Sequence, residues 1–148
     1  MSEAKEFKHV HVVRFHETDA AGVVYFANLL TFCHEAYEAA LAAVGIDVAL
    51  FFSRDRNVAV PVIHAEADFY RPVRCGEAIA IHLIPKQLTA HSFEIHYAIF
   101  RADASSQAEQ RGKAIARALT RHVCIDAQTR QRHDLTKPLT EWIASLSG

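Results

Sequence analysis

The stretch Glu17-Thr18-Asp19-Ala20-Ala21-Gly22-Val23-Val24-Tyr25-Phe26-Ala27-Asn28 joins a strand-like run to the one long helical pattern of the chain. It places the carboxylate of Asp19 in a turn built mainly from small residues. The start of a helix offers free backbone N–H groups and positive potential, and both stabilise a developing negative charge. The spacing therefore allows two interpretations: Asp19 only hydrogen-bonds the backbone of its own turn, or it attacks a substrate or activates water while the helix start stabilises the resulting anion.

The residues after this turn predict a long amphipathic helix from Ala27 to Val44, with Asn28 as its N-cap and Gly45 as its end. Apolar residues recur there at helical spacing, at Leu29, Leu30, Cys33, Tyr37, Ala40, Leu41 and Val44. Residues 9–15 read as a first strand, and residues 48–52 as a short helical turn.

Beyond residue 57 the apolar period changes to two, which is typical of strands. Extended runs are predicted at residues 58–69, 79–83, 93–99 and 113–125. Pro61 indicates an edge or a bulge in the first of them. We also expect a polar loop over residues 103–112 and a short helix over residues 139–146. Three alanines on one face of the last strand predict close approach of the long helix: Ala114, Ala116 and Ala118.

Composition limits the class of protein. The 148 residues suit a single domain, 1–148, and the formal net charge of −1 gives no basic surface for nucleic acid. No apolar run approaches the about 20 residues that span a bilayer, and the polar N-terminus is unlike a signal peptide. The three cysteines are widely separated, which predicts free thiols and a cytoplasmic location.

Two histidine patterns suggest metal ligands only at first sight. His34-Glu35-Ala36-Tyr37-Glu38 lacks the second histidine of a zinc-protease helix, so we expect His34 and Glu38 to pair one turn apart. His9 and His11 share a strand face, but two ligands do not make a metal site. The sequence therefore predicts no metal site. Cys33 lies on the apolar stripe and is expected to be a buried hydrophobe.

The segment Thr18–Asn28 resembles the signature of hotdog-fold acyl-CoA thioesterases of the 4-hydroxybenzoyl-CoA thioesterase type. Further segments agree in order and spacing: His34–Glu38, Asp68–Glu77 and Arg121–Ile125. The resemblance implies an α+β hotdog fold, in which one antiparallel five-stranded sheet wraps around a long central helix. It also implies homodimers joined along sheet edges, often paired into homotetramers, with active sites between protomers.

Within that family, three segments resemble the 1,4-dihydroxy-2-naphthoyl-CoA thioesterases of phylloquinone and menaquinone biosynthesis: His34–Glu38, Pro61–Ala65 and His122–Ile125. The resemblance implies hydrolysis of an aromatic acyl-CoA, with no cofactor other than the coenzyme A of the substrate. The family carboxylate matches Asp19, and the backbone N–H that polarises the thioester carbonyl matches Phe26. The candidate substrate-binding residues are Gly22, Tyr25, His64 and Phe69.

Several alternatives stay open. Asp19 would serve either as a nucleophile or as a general base. The substrate would also fit a 4-hydroxybenzoyl-CoA-type or broader acyl-CoA thioesterase. A hotdog dehydratase or hydratase would use His34 and Glu38 instead, and a non-catalytic acyl-CoA-binding protein would need no Asp19. Arg71, Arg74 and Lys86 are either contacts for coenzyme A phosphates or solvated surface charges.

Overall fold

Alternating apolar residues build an antiparallel sheet in the computed structural model, which describes residues 6–146. The strands of the chain are β1 (Phe7–Val12), β2 (Val58–Ala59), β3 (Val62–Phe69), β4 (Ala78–Thr89), β5 (Ser92–Arg101), β6 (Ala116–Val123) and β7 (Ile125–Asp126). Five of them form one sheet in the order β1-β4-β5-β6-β3, and β2 pairs with β7 in a small second sheet. The predicted five-stranded antiparallel sheet is therefore confirmed.

Residues 6–146 also contain four α-helices: α1 (Asn28–Ala43), α2 (Val48–Phe51), α3 (Ser106–Arg111) and α4 (Lys137–Leu146). A short 3-10 turn, Phe15–Glu17, precedes the loop that leads into α1. Within residues 6–146, no helix is long and apolar enough to cross a membrane.

The long helix forms where its periodicity predicts it. Its apolar stripe is buried against the sheet, at Leu29, Phe32, Cys33, Ala36, Tyr37, Ala40 and Leu41. The helix ends before Gly45, whose φ of +85° favours glycine. The Gly45 N–H donates to the Ala42 carbonyl, and the Ile46 N–H donates to that of Leu41. Val44 lies past the last helical turn and is half exposed, so its assignment to the stripe was wrong.

Strand β3 forms one edge of the five-stranded sheet and pairs with β6 alone among the described strands. Pro61 separates β2 from β3, and the β3–β6 register shifts between Val62 and His64. Most of β3 is exposed on both faces. The edge position that Pro61 indicates is therefore confirmed, and β3 presents an open row of backbone groups.

Two sequence-based expectations were wrong. The polar segment 103–112 contains helix α3, because the Ser105 hydroxyl caps it by accepting from the Ala108 N–H at 3.1 Å, and because Glu109 is buried as a paired charge. The backbone of α1 comes closest to β1 and β4 rather than to the alanine face of β6. Ala116 instead lines a cavity, so its small side chain leaves open space rather than a close contact with the helix.

Candidate active site

A cavity of about 380 Å³ opens between the start of α1 and the segment that follows β3. Its wall is mainly apolar and comes from the loop before α1, from α1 itself, from the segment that follows β3 and from four strands, β3 to β6. The lining residues central to the site are Asp19, Phe26, Leu29, Phe32, Phe69, Tyr70, Arg71, Ile115 and Ala116. An apolar cavity with a few polar groups is the usual form of a small-molecule site.

Asp19 lies in a tight turn at the edge of this cavity. Its Oδ1 accepts a hydrogen bond from the Ala21 N–H at 2.8 Å, and its carbonyl accepts from the Gly22 N–H at 3.0 Å. Gly22 has a φ of +80°, which this turn requires. The turn is fixed to the strand connection, because the Val24 N–H donates to the Val73 carbonyl at 2.8 Å. Asp19 is thus both a turn residue and an exposed carboxylate at the cavity wall.

Phe26 also lines the cavity, close to the start of α1. Phe26 stands two residues before the first residue of α1, and its carbonyl accepts from the Leu29 N–H at 3.2 Å. Its own N–H donates to no group in residues 6–146. A free N–H at a helix start stabilises a nearby anion. The cavity therefore combines a carboxylate with an available backbone donor.

Hydrogen bonds to Glu17 connect the beginning of the loop to its end. The Glu17 carbonyl accepts from the Tyr25 N–H at 3.0 Å and from the Asn28 side-chain amide at 2.8 Å. Asn28 is therefore not the N-cap that the sequence predicts; Ala27 holds that position, without a side-chain cap. The Asn28 amide closes the loop instead, because its donor finds an acceptor eleven residues upstream.

Of the predicted substrate-binding residues, Phe69 lines the cavity, whereas Gly22, Tyr25 and His64 do not. The Tyr25 ring is half exposed and packs 4.8 Å from the Phe26 ring. His64 lies on the open edge strand, with its Nε2 3.8 Å from a Glu66 carboxylate oxygen. These three residues stay predictions.

The two residues that follow Phe69 are not among the predicted substrate-binding residues; Arg71 was predicted only as a contact for coenzyme A phosphates or as a solvated charge. The N–H groups of Tyr70 and Arg71 both donate to the Ile115 carbonyl, at 2.8 and 3.1 Å, which holds both residues at the cavity. Their position beside Phe69 in the segment Asp68–Glu77 was the available signal. Arg71 also places an exposed guanidinium at the cavity, whereas Lys86 lies on β4 and does not line it.

A second cavity, of about 240 Å³, contains the residues of the competing dehydratase hypothesis. Its wall includes His34, Tyr37, Glu38 and His122, but not Asp19. The described chain shows no His34–Glu38 ion pair, so that expected pairing was wrong. Burial, together with the charge of His34, lowers the pKa of His122 to about 4, against a small opposing effect of the Val60 backbone. His122 is therefore neutral at physiological pH.

His9 and His11 both contact Glu35 on α1, at 2.8 and 2.9 Å. Their shared strand face thus binds a helix carboxylate. Among residues 6–146, no group of three or more His, Cys, Asp or Glu side chains is placed to hold a metal ion. Cys33 is buried, as its position on the stripe predicts, and burial raises its pKa to about 12.

Comparison with known proteins agrees with this geometry. A family model described as the thioesterase-like superfamily matches residues 13–143. The 1,4-dihydroxy-2-naphthoyl-CoA hydrolase of Rippkaea orientalis is 48% identical over 137 residues, which cover 93% of this chain and 94% of that protein. The enzyme of the same name from Gloeothece citriformis is 47% identical over 135 residues, which cover 91% of this chain and 90% of that protein.

Solved structures give the same result for the fold. The crystal structure of a 1,4-dihydroxy-2-naphthoyl-CoA thioesterase from Synechocystis superposes with a TM-score of 0.85 at 35% identity. The match covers 95% of this chain and 97% of that one. The predicted α+β hotdog fold is therefore confirmed, and the chain belongs to the thioesterase-like superfamily.

Proposed function

We propose that this protein hydrolyses the thioester bond of an aromatic acyl-CoA, with 1,4-dihydroxy-2-naphthoyl-CoA as its substrate. The observation that carries the proposal is the cavity of about 380 Å³, whose apolar wall holds the Asp19 carboxylate and the available Phe26 N–H. The choice of acyl group is supported by relatives at 47% and 48% identity that are named 1,4-dihydroxy-2-naphthoyl-CoA hydrolases.

The proposed reaction adds water across the thioester, so that the acyl carbon gains an oxygen and coenzyme A leaves as its thiol. Asp19 either takes a proton from the attacking water or attacks the carbonyl itself to form an anhydride that water then cleaves. In both routes the carbonyl oxygen becomes negative in the transition state. The Phe26 N–H and the start of α1 would stabilise that charge, and one such donor is worth about 3–4 kcal/mol.

The cavity wall suits the two ends of such a substrate. The rings of Phe32 and Phe69 offer apolar surface to a flat aromatic acyl group. Arg71 adds a positive charge at the exposed part of the wall, where it would attract the phosphates of coenzyme A. The reaction as proposed needs water and no cofactor beyond the coenzyme A of the substrate.

We further propose that two copies of the chain pair along β3. The strand is an edge strand of eight residues, and its outer backbone groups have no partner strand in the described chain. Antiparallel pairing about a two-fold axis would satisfy those groups and would bring the start of the partner's β3 near the cavity. Light scattering on the purified protein tests this proposal: a dimer, or a tetramer made from two dimers, supports it, and a monomer contradicts it.

We also propose a cellular setting for the reaction. The three widely separated cysteines support a cytoplasmic location, and the resemblance of the sequence supports a role in phylloquinone or menaquinone biosynthesis. Loss of quinone in a strain that lacks the gene, with recovery on expression of this chain, supports that placement. An unchanged quinone content contradicts it.

The proposed chemistry is tested by replacing Asp19 with asparagine. Asparagine keeps the Oδ1 acceptor that bonds the Ala21 N–H, so the turn should be kept. We expect kcat for 1,4-dihydroxy-2-naphthoyl-CoA to fall by about 10²–10⁴-fold, the usual contribution of a positioned acid or base. Release of free coenzyme A, followed with a thiol reagent, gives the rate.

Asp55→Asn is the matched control, because Asp55 is exposed and does not line the cavity. Parallel measurements with 4-hydroxybenzoyl-CoA and an enoyl-CoA test the alternative substrates and hydration. Turnover close to normal in Asp19→Asn would contradict the proposed role of Asp19. Binding without turnover in the unmodified protein would instead indicate an acyl-CoA-binding protein.

A further inference from the structure

A chain of hydrogen bonds connects the middle of α1 to the loop that carries Asp19. His11 on β1 lies between two carboxylates. Its Nδ1 is 2.9 Å from Glu35 Oε2, and its Nε2 is 2.9 and 3.1 Å from the two oxygens of Glu17. An ionised carboxylate only accepts hydrogen bonds, so both contacts are satisfied when each ring nitrogen of His11 carries a proton.

The Glu17 carboxylate is held firmly at this position. Its side chain is 12% exposed, as is that of His11, and it also accepts from the Arg14 N–H at 2.7 Å. Burial raises the pKa of Glu17, but the hydrogen bonds from Arg14 and His11 and the positive charge of nearby histidines outweigh it and lower the pKa. Glu17 is therefore ionised at neutral pH, as its role as an acceptor requires.

The backbone carbonyl of Glu17 connects the beginning of the active-site loop to its end. Its carbonyl accepts from the Tyr25 N–H and from the Asn28 side chain. Glu17 stands two residues before Asp19, and Tyr25 stands one residue before Phe26. A shift of Glu17 would therefore move the carboxylate and the backbone donor of the site relative to each other.

We propose that His11 is a positioning residue, which holds Glu17 and thereby fixes Asp19 against the Phe26 N–H. The inference rests on the proposed function. His11 does not line the cavity, so it acts through Glu17 and not on the substrate. Its ring also packs 4.4 Å from that of Phe32, which lies in the cavity wall. Contacts of His11 thus join β1, α1 and the loop at one point.

Two conservative variants of His11 distinguish its contact with Glu17 from its contact with Glu35. The amide nitrogen of glutamine reaches the position of Nε2, and that of asparagine reaches only the position of Nδ1. His11→Gln therefore keeps a donor for Glu17, and His11→Asn keeps one for Glu35. We expect His11→Gln to retain most of kcat. We expect His11→Asn and His11→Leu to lose roughly 10- to 100-fold in kcat with KM almost unchanged, because a displacement of about 1 Å costs up to 10²-fold.

His9→Leu is the matched control for His11→Leu, because it removes a contact with Glu35, at 2.8 Å, whereas no contact joins His9 to Glu17 within residues 6–146. Its kcat should stay unchanged. Adding His11→Leu to Asp19→Asn should cause no further loss, since the effect of His11 passes through Asp19. Urea unfolding of each variant shows whether the protein measured is folded.

Equal rates in His11→Gln and His11→Asn would overturn the inference, and so would an equal loss from His11→Leu in the Asp19→Asn protein. These results would leave the proposed function intact if Asp19→Asn alone abolishes turnover. Normal turnover in Asp19→Asn would instead remove the proposed function itself.

Discussion

Replacing Glu109 with alanine is expected to destabilise the fold by about 3–5 kcal/mol, as the loss of one partner of a buried ion pair does. Glu109 lies on α3 with its carboxylate fully buried. Its Oε1 is 3.0 Å from both Lys8 Nζ and His82 Nε2, and its Oε2 is 2.9 Å from the Asp103 backbone nitrogen. The carboxylate thus joins α3 to β1, β4 and the segment after β5.

The size of the expected loss of stability follows from the groups that lose Glu109 as their hydrogen-bond partner. His82 is 1% exposed and would lose the acceptor at its Nε2, and it is the buried donor that the change leaves unsatisfied; the Asp103 N–H also loses its acceptor but belongs to an exposed residue. Each unsatisfied buried donor costs about 1–3 kcal/mol. Lys8 is 30% exposed and returns to water at little cost. The expected loss is a large share of the about 5–15 kcal/mol that stabilises a typical domain.

The stability that Glu109 contributes is also expected to depend on pH. Burial raises the pKa of Glu109, but hydrogen bonds from the Asp103 N–H, Lys8 and His82, with the charge of Lys8, outweigh it and lower the pKa below its ordinary value of 4.5. A carboxyl whose pKa is lowered in the folded protein contributes stability that is fully present above its pKa in the unfolded chain. This stability is lost as the pH falls through the pKa of the carboxyl in the folded protein. The difference between the unmodified protein and Glu109→Ala should therefore shrink below about pH 4.5.

Urea unfolding followed by the fluorescence of the single tryptophan, Trp142, measures both effects. Glu141→Ala is the matched control, because its exposed carboxylate lies 3.8 Å from Lys137 on the surface of α4. That variant should lose less than about 1 kcal/mol. A loss below about 1 kcal/mol for Glu109→Ala, or a difference that does not change in acid, would refute the reasoning.

Two further changes test the core and the cavity. Tyr37→Phe removes a buried hydroxyl that has no hydrogen-bond partner in residues 6–146, so urea unfolding should show a gain of about 1 kcal/mol. A loss of stability would mean that the hydroxyl has a partner. Ala116→Val adds two carbons to a fully buried position on the cavity wall. It should lower kcat/KM for 1,4-dihydroxy-2-naphthoyl-CoA relative to a monocyclic aroyl-CoA by roughly 10-fold or more; an equal loss for both substrates would contradict the assigned position of the acyl group.

The long helix and the main strands are predictable because their signals are local. The apolar period of α1, its end at Gly45 and the alternation in β4 and β5 each depend on neighbours in sequence. Helix α3 escaped prediction because its buried residue is a glutamate. Its partners, Lys8 and His82, lie 101 and 27 residues away. A charge is not expected in a core unless such distant partners are known.

The residues of the candidate site also divide into those that the sequence predicts and those that only the tertiary structure brings together. Asp19 and Phe26 stand in one short segment, so the sequence alone pointed to both. Tyr70 and Arg71 reach the same cavity from beyond β3, held by the Ile115 carbonyl. His11 meets Glu17 and Glu35 across gaps of 6 and 24 residues. Contacts of this kind depend on strand pairing and helix placement, which local patterns do not specify.

The sequence by itself determined the main elements and the family: one long helix, a set of alternating strands, and a carboxylate in a glycine-containing turn before the helix. These features follow from periodicity and from backbone preferences that act over a few residues. Only the tertiary structure decided that the small side chain of Ala116 makes room for a cavity and that no strand within residues 6–146 covers the edge that Pro61 indicates. It alone showed that His11 joins helix and loop, because such contacts form only when the sheet brings distant residues together.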